Sequence, residues 1–200
     1  MDEVPQLESP LVVGVTGASG APYAVRLIRA LVENQVPTSL IISSHGWRLF
    51  SLEVGVESES GLRELLAGDW SRIRVFDNRD RGAEPASGSA PTRGMVVCPC
   101  SMGTLAAIAG GHSRSLIERA ADVTLKERRP LVLVPRETPL SEVHLRNMLA
   151  VTQAGAVVLP AAPGFYGSPK SIDDLVDFVV ARILSHVGLR QQLGPRWTGE

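Results

Sequence analysis

Leu11-Val-Val-Gly-Val-Thr-Gly-Ala-Ser-Gly-Ala21 decides how the rest of the chain is read. The apolar, largely β-branched run up to Val15 has the composition of a buried strand, and it stops at a turn of small residues. Beyond the turn, Tyr23, Leu27, Ile28 and Leu31 return at the spacing of one helix face. Strand, glycine turn and helix in that order form the opening unit of a parallel α/β sheet.

Outward from this unit the alternation continues almost to the C-terminus. Thr38–Ile42 reads as a second strand, followed by a helix through Trp47, Leu49, Phe50 and Leu52. Residues 55–71 read as helical around Leu62 and Leu66, and 72–76 as a short strand. Residues 77–93 carry Gly, Ser, Pro and charge without periodicity, the mark of a functional or disordered loop. A strand over 94–98, ended by Pro99, precedes a small-residue helix over 101–109 and a further helix over Leu116–Lys126. Residues 130–135 form the plainest buried strand, with a helix from about Ser141 and a last strand over 156–159. After a Pro/Gly loop over 160–169, Ser171 caps a final helix with Asp174 three residues on. Ile172, Leu175, Val176, Val179 and Ile183 give that helix its apolar face, and Gly188 ends it. The expected fold class is α/β: a Rossmann-like (flavodoxin-like) three-layer sandwich with a mostly parallel sheet and right-handed crossovers. The expected organisation is a flexible N-terminus over 1–10, a single domain over 11–189, and a tail over 190–200 with no core pattern.

Composition narrows the function classes. A chain of 200 residues, 44% hydrophobic, 20% charged and 4% aromatic, reads as one globular domain with a core of Val, Leu, Ile and Ala. Such a core suits buried parallel strands. A net charge of -1, with no basic run longer than Arg128-Arg129, leaves no field to gather a polyanion, so no nucleic-acid partner is expected. The first residues are acidic where a secretory leader is basic, and no apolar run approaches the ~18 residues of a membrane span. With Cys98 and Cys100 as the sole cysteines, these features predict a cytoplasmic protein with no membrane partner. Cys98-Pro-Cys100 has no companion Cys or His cluster, and His45, His112, His144 and His186 are scattered, so no metal site is expected.

Ligands of open parallel sheets bind beyond the carboxyl ends of the strands. Ser19, Ser43, Ser101, Thr104, Arg136, Glu137 and Tyr166 all follow predicted strands and fall on that rim. The turn Gly14-Val-Thr-Gly17-Ala-Ser-Gly20 departs from G-x-G-x-x-G, lacks the Gly-Lys-Ser/Thr of a P-loop, and is followed by Ser43-Ser44 where a dinucleotide site places an acid. The reading shifts to a mononucleotide, met by backbone N–H groups and a helix N-terminus. Taken alone, the turn also fits a tight strand–helix connection with no ligand.

Several further segments change the weight of that reading. Thr16-Gly-Ala-Ser-Gly-Ala21, Pro85-Ala-Ser-Gly-Ser89, Cys98-Pro-Cys-Ser101, the long run Ile117-Glu-Arg-Ala-Ala-Asp-Val-Thr-Leu-Lys-Glu-Arg-Arg-Pro-Leu-Val-Leu-Val-Pro-Arg-Glu137, and Leu159-Pro-Ala-Ala-Pro-Gly-Phe-Tyr166 together resemble the UbiX-type flavin prenyltransferases of the HFCD-like flavoprotein superfamily, once described as aromatic acid decarboxylases. The resemblance runs from about residue 11 to Trp197. It implies bound FMN, dimethylallyl monophosphate as prenyl donor, no divalent metal, and prenylated FMN as the product. By the resemblance, flavin N5 would take the prenyl group at its allylic carbon with phosphate as the leaving group, and flavin C6 would then close the new ring.

By the same resemblance Gly17, Ala18, Ser19, Ser43, Ser101, Met102, Gly103, Thr104 and Arg119 bind the flavin. Lys126, Arg136, Glu137, Tyr166 and Arg182 surround the donor phosphate, Ser87 and Gly88 line the prenyl pocket, and Trp197 belongs to a tail that covers the site. Ser19 relays protons and Glu53 stabilises positive charge, so the expected catalytic set is Ser19, Glu53, Lys126, Arg136 and Glu137. The resemblance further implies a homododecamer with active sites shared between chains, and a UbiD-type decarboxylase as recipient of the product. From the residues alone, Lys126 can complement a helix dipole, Arg182 and Glu53 can be surface groups, and Ser19 can be a cap. Two other activities stay open on the same fold. A cysteine-type oxidative decarboxylase would carry Pro-Ala-Ser-Ala-Asn-Thr where this chain has Pro99-Cys-Ser-Met-Gly-Thr104, and a flavin carrier would need no prenyl donor.

Overall fold

The computed structural model describes residues 9–191 and Leu193. Six strands, β1 (Leu11–Val15), β2 (Thr38–Ile42), β3 (Ile73–Asp77), β4 (Gly94–Cys100), β5 (Leu131–Pro135) and β6 (Val157–Val158), form one sheet in the order β3-β2-β1-β4-β5-β6. Every pairing is parallel. The helices are α1 (Ala21–Glu33), α2 (Ser44–Val54), α3 (Glu59–Leu66), α4 (Met102–Ala109), α5 (Leu116–Lys126), α6 (Glu142–Gln153) and α7 (Ile172–His186). The chain order reverses between β1 and β4, which opens a crevice beyond their carboxyl ends.

Side-chain alternation along the strands builds two cores. Leu11, Val13, Val15, Leu40, Ile42, Val96, Val132 and Val134 face α1, α2, α3 and α7. Val12, Ile41, Met95, Val97, Leu131 and Leu133 face α4, α5 and α6. Both faces are covered, which explains why the strands read as continuous apolar runs. Gly14 lets α5 approach β1, since a Cβ there would stand 3.2 Å from Ile117 Cγ2 and 3.3 Å from Met95 Cε.

Two expectations about elements need correction. Pro99 does not end its strand: β4 runs to Cys100, with a slip in the β4–β5 ladder between Val97 and Cys100. Proline offers no N–H to a ladder, so pairing skips it and the alternation loses step. As a result Cys98 joins one core and Cys100 the other. Ile172 is 75% exposed, because the apolar stripe of α7 is set by Val176, Val179, Val180, Ile183 and Leu184. The first turn of α7, with its capping box between Ser171 and Asp174, stands clear of the sheet.

No helix among the described residues is long and apolar enough to cross a membrane. Most of the N-terminal segment and of the C-terminal tail, Trp197 included, lies outside the described residues.

Candidate functional site

Three helices begin on the rim above β1, β2 and β4, and their N-termini differ in how their free amides are met. Helix α1 starts from Gly20, whose φ of 130° suits glycine, and has no cap from its own segment. Its cap comes from α2: Glu53 Oε2 accepts from Gly20 N at 2.9 Å and from Ala21 N at 2.7 Å. A carboxylate at this position satisfies two orphan donors and complements the positive end of the dipole. The N-terminus expected to meet a phosphate is therefore already held by an anion of the protein.

The other two N-termini are capped by serine. Ser43 Oγ accepts from Gly46 N at 3.0 Å at the head of α2, and Ser101 Oγ accepts from Thr104 N at 3.2 Å at the head of α4. Ser101 also donates to Thr104 Oγ1 at 3.0 Å. In each helix the first two amides, those of Ser44 and His45 and of Met102 and Gly103, have no intrahelical acceptor. Helix α2 sits tightly on β1, because a Cβ on Gly46 would lie 2.8 Å from the Val15 carbonyl oxygen. The same crowding explains Gly17, where a Cβ would come inside 3.0 Å of His45 Cβ.

Thr16 joins the two strands at the switch point, a role its sequence position did not signal. It is 3% exposed, donates through Oγ1 to Pro99 O at 2.8 Å and accepts from Ser101 N at 2.8 Å. From β5, Arg136 reaches across the rim and donates through Nε to Ser19 O at 3.0 Å. Glu137 beside it is exposed and accepts from Thr138 N at 3.1 Å. The loop bearing Tyr166 starts on the same rim, with Ala161 N donating to Pro135 O at 3.0 Å. Tyr166 is 52% exposed and meets Phe178 edge-on, at 5.6 Å between ring centroids. Gly17, Ala18, Ser19, Ser43, Glu53, Ser101, Met102, Gly103, Thr104 and Arg136 thus share one rim, with Glu137 and Tyr166 beside it.

The remaining expected residues among those described, Arg119 apart, stand elsewhere. Lys126 ends α5 and precedes β5, so it lies at the amino end of the sheet. The five residues of β5 separate that edge from Arg136, a span of about 17 Å at the rise of a parallel strand. Ser87 and Gly88 are at the Lys126 end: a Cβ on Gly88 would stand 2.6 Å from Lys126 Nζ. Arg129 holds this loop through Gly88 O at 2.9 Å, Ala90 O at 3.0 Å and Thr92 Oγ1 at 2.9 Å. Lys126 pairs with Glu127, and that hydrogen bond holds the Glu127 carboxyl below its ordinary range. Arg119 belongs with the rim: it sits in the first turn of α5, whose head is held just past the carboxyl end of β3 by Leu116 N donating to Asn78 O at 2.8 Å, and it pairs with Asp122 at 2.7 Å. Arg182 is exposed on α7, which covers the face opposite to α5. Within one protomer the expected set is split between a rim group and an opposite-edge group.

The buried thiols are chemically quiet. Burial, with Cys100 nearby, pushes Cys98 up, and burial pushes Cys100 up to about 12. They face opposite sides of the sheet, and among the described residues no group of three or more His, Cys, Asp or Glu could hold a metal ion.

Open parallel sheet, switch-point crevice, free helix amides and hydroxyls define an α/β protein suited to a phosphate-bearing planar ligand. FMN fits this donor set: the two serine-capped N-termini offer amides and hydroxyls, the turn at Gly17 is narrow, and the Glu53 carboxylate is occupied by backbone amides. The family model described as Flavoprotein matches residues 3–184. The flavin prenyltransferase UbiX of Pseudomonas aeruginosa is 50% identical over 194 residues, covering 94% of this chain and 93% of that protein. The crystal structure of AnUbiX (PadA1) in complex with FMN and dimethylallyl pyrophosphate matches with a TM-score of 0.87 and 44% identity, over 96% of this chain and 99% of that one. A dodecameric FMN-dependent UbiX-like decarboxylase from Escherichia coli O157:H7 matches with a TM-score of 0.86 and 44% identity, over 95% of this chain and all of that one (100%). This chain belongs to the flavoprotein family, in its UbiX-type flavin prenyltransferase branch.

Proposed function

We propose that this protein transfers a dimethylallyl group from dimethylallyl monophosphate to N5 and C6 of reduced FMN, and that the prenylated FMN passes to a UbiD-type decarboxylase in the cytoplasm. The observation that carries the proposal is the contact of Arg136 with the Ser19 carbonyl, which brings a fixed cation to the glycine turn. When bound, FMN supplies the nucleophilic nitrogen and then the ring carbon that take the prenyl group. The residues of the chain do the rest. Gly17, Ala18, Ser19, Ser43, Ser101, Met102, Gly103 and Thr104 hold the flavin against the rim, with Arg119 as a further contact. Lys126, Arg136 and Arg182, with Tyr166, hold the donor phosphate and stabilise the charge that develops as the allylic C–O bond breaks. Glu137 shares a proton with the leaving phosphate, Ser19 relays protons, and Glu53 offsets nearby positive charge. Ser87 and Gly88 line the prenyl pocket, and Trp197 closes it.

The split between the two edges supports a composite site. Lys126, Ser87 and Gly88 lie at the edge opposite to Arg136, with the length of β5, about 17 Å, between the two edges, so they serve the rim of a neighbouring copy. The dodecameric relative favours the same assembly here.

The test is incubation with reduced FMN and dimethylallyl monophosphate without added metal. A flavin gaining one prenyl group by mass supports the reading, and FMN binding with no prenylated product overturns it in favour of a carrier. Running dimethylallyl pyrophosphate in parallel settles the donor. Lys126→Ala and Arg136→Ala proteins, each inactive alone, should regain activity when unfolded and refolded together as mixed oligomers. No recovery would show that the site is not shared.

A further inference from the structure

We infer that Thr16 is a positioning residue for the flavin site, acting through Ser101. The inference rests on the flavin reading given above. Thr16 is the first residue after β1, and Ser101 the first after β4, at the point where the strand order reverses. Most inter-strand contacts there end with the ladder, which pairs Gly14 with Val97 as its last β1–β4 partners. Beyond it the two chains diverge toward α1 and α4. Thr16 supplies a polar bridge beyond the ladder's end: its N donates to Pro99 O at 3.2 Å, its Oγ1 donates to the same oxygen at 2.8 Å, and its Oγ1 accepts from Ser101 N at 2.8 Å.

The bridge sets the position of groups that the flavin site uses. Ser101 caps α4 and shares a hydrogen bond with Thr104. The amide of Ser101 is fixed by Thr16, so the head of α4 is tied to the residue immediately before Gly17. The distance between the glycine turn and the open amides of Met102 and Gly103 is then set by one buried hydroxyl together with the Thr16 backbone N–H. A hydroxyl that both donates and accepts is required, because Pro99 O is an acceptor and Ser101 N a donor. Valine keeps the shape and removes both functions, leaving the Ser101 amide without its acceptor in a site only partly open to water. Serine keeps both functions and gives up one methyl group.

Thr16→Val and Thr16→Ser proteins test this, read by FMN titration, by visible circular dichroism of the bound flavin and by melting of the FMN-free protein. Expected for Thr16→Val is FMN affinity reduced about 10- to 100-fold, from the cost of an unmade buried hydrogen bond, with a changed flavin dichroism at saturation. Expected for Thr16→Ser is affinity within about threefold of the wild type and an unchanged dichroism. Thr16→Val with wild-type affinity and dichroism overturns the inference, as does Thr16→Ser that is as weak as Thr16→Val. If Thr16→Val does not fold, Thr16→Ser decides alone: retained affinity supports the role of the hydroxyl, and a tenfold loss overturns it. Failure of the wild-type protein to bind FMN would instead remove the flavin reading itself.

Discussion

Gly17→Ala is the perturbation whose outcome follows most directly from the geometry of the rim. A methyl group on Gly17 would come inside 3.0 Å of His45 Cβ, with His45 Cγ at 3.3 Å and the His45 carbonyl carbon at 3.6 Å. Carbon atoms prefer separations of about 3.5–4.0 Å, so something must move by about half an ångström or more. His45 cannot yield by changing rotamer, because Cβ is fixed to the helix backbone. Helix α2 cannot easily yield either, since Gly46 already brings its backbone against the Val15 carbonyl. The strain falls on the turn between β1 and α1. Overpacking of this kind costs about 1–3 kcal/mol, which lowers the melting temperature of a chain this size by about 2–12 °C. Movement of the turn also pulls Ser19 O away from Arg136, now at 3.0 Å. FMN affinity should therefore fall by at least about tenfold. Thermal melting and fluorescence titration with FMN measure the two effects. His45→Ala keeps the offending Cβ and should not rescue Gly17→Ala. His45→Gly removes it and should recover stability, less about 1 kcal/mol for glycine in a helix. A Gly17→Ala protein that melts and binds FMN like the wild type would refute the reasoning, and so would equal rescue by His45→Ala and His45→Gly.

Two further predictions concern groups with defined partners. Glu53→Ala leaves the Gly20 and Ala21 amides uncapped and should cost about 0.5–2 kcal/mol, seen as a lower melting temperature; Glu53→Gln keeps an acceptor and should lose less stability but most of the turnover, and equal melting losses would contradict the cap. Burial holds the Cys98 thiol up and the Cys100 thiol up to about 12, while an unfolded chain releases these protons near pH 8.5. Their contribution is complete below that pH and fades as pH rises toward 12, so melting temperature should drop between pH 8 and 10 more steeply than in a Cys98→Ala/Cys100→Ala protein. Neither thiol should react with a disulfide reagent at pH 8 until the protein unfolds, and prompt labelling would show that the core is open.

Most of the architecture was legible because each local signal agreed with the sheet. The apolar runs at Leu11–Val15, Thr38–Ile42 and Leu131–Pro135 became strands covered on both faces, and Ser171 caps α7 as its spacing to Asp174 implied, whereas α1 takes its cap from Glu53 and not from Ser19. The rim was legible as well, since residues that follow parallel strands must gather at one edge. The failures share a cause in tertiary contacts. Glu53 meets Gly20 and Ala21 across 33 and 32 positions, and no local pattern marks such a cap. Thr16 looked like an ordinary turn residue because both its partners, Pro99 and Ser101, come from a strand more than 80 positions on. The loss of step at Pro99 escaped a reading that assumes strict alternation. The motif carrying Lys126 and Arg136 is continuous in sequence, but a strand lies between them and turns one motif into two edges.

The slip at Pro99 also limits how the chain can vary in length. Below it, neighbouring side chains take turns facing α1 and α5; above it, the order is exchanged, and only in the exchanged order does Cys100 enter the α5 side while Ser101 meets Thr16. Losing or gaining a single residue between Val97 and Ser101 would send a thiol to the wrong layer and carry the serine amide out of reach of β1. Insertions in the exposed turn over residues 79–82 merely lengthen a surface excursion. Among relatives of this protein, the spacing from Val97 to Ser101 should be kept where that exposed turn is free to grow or shrink.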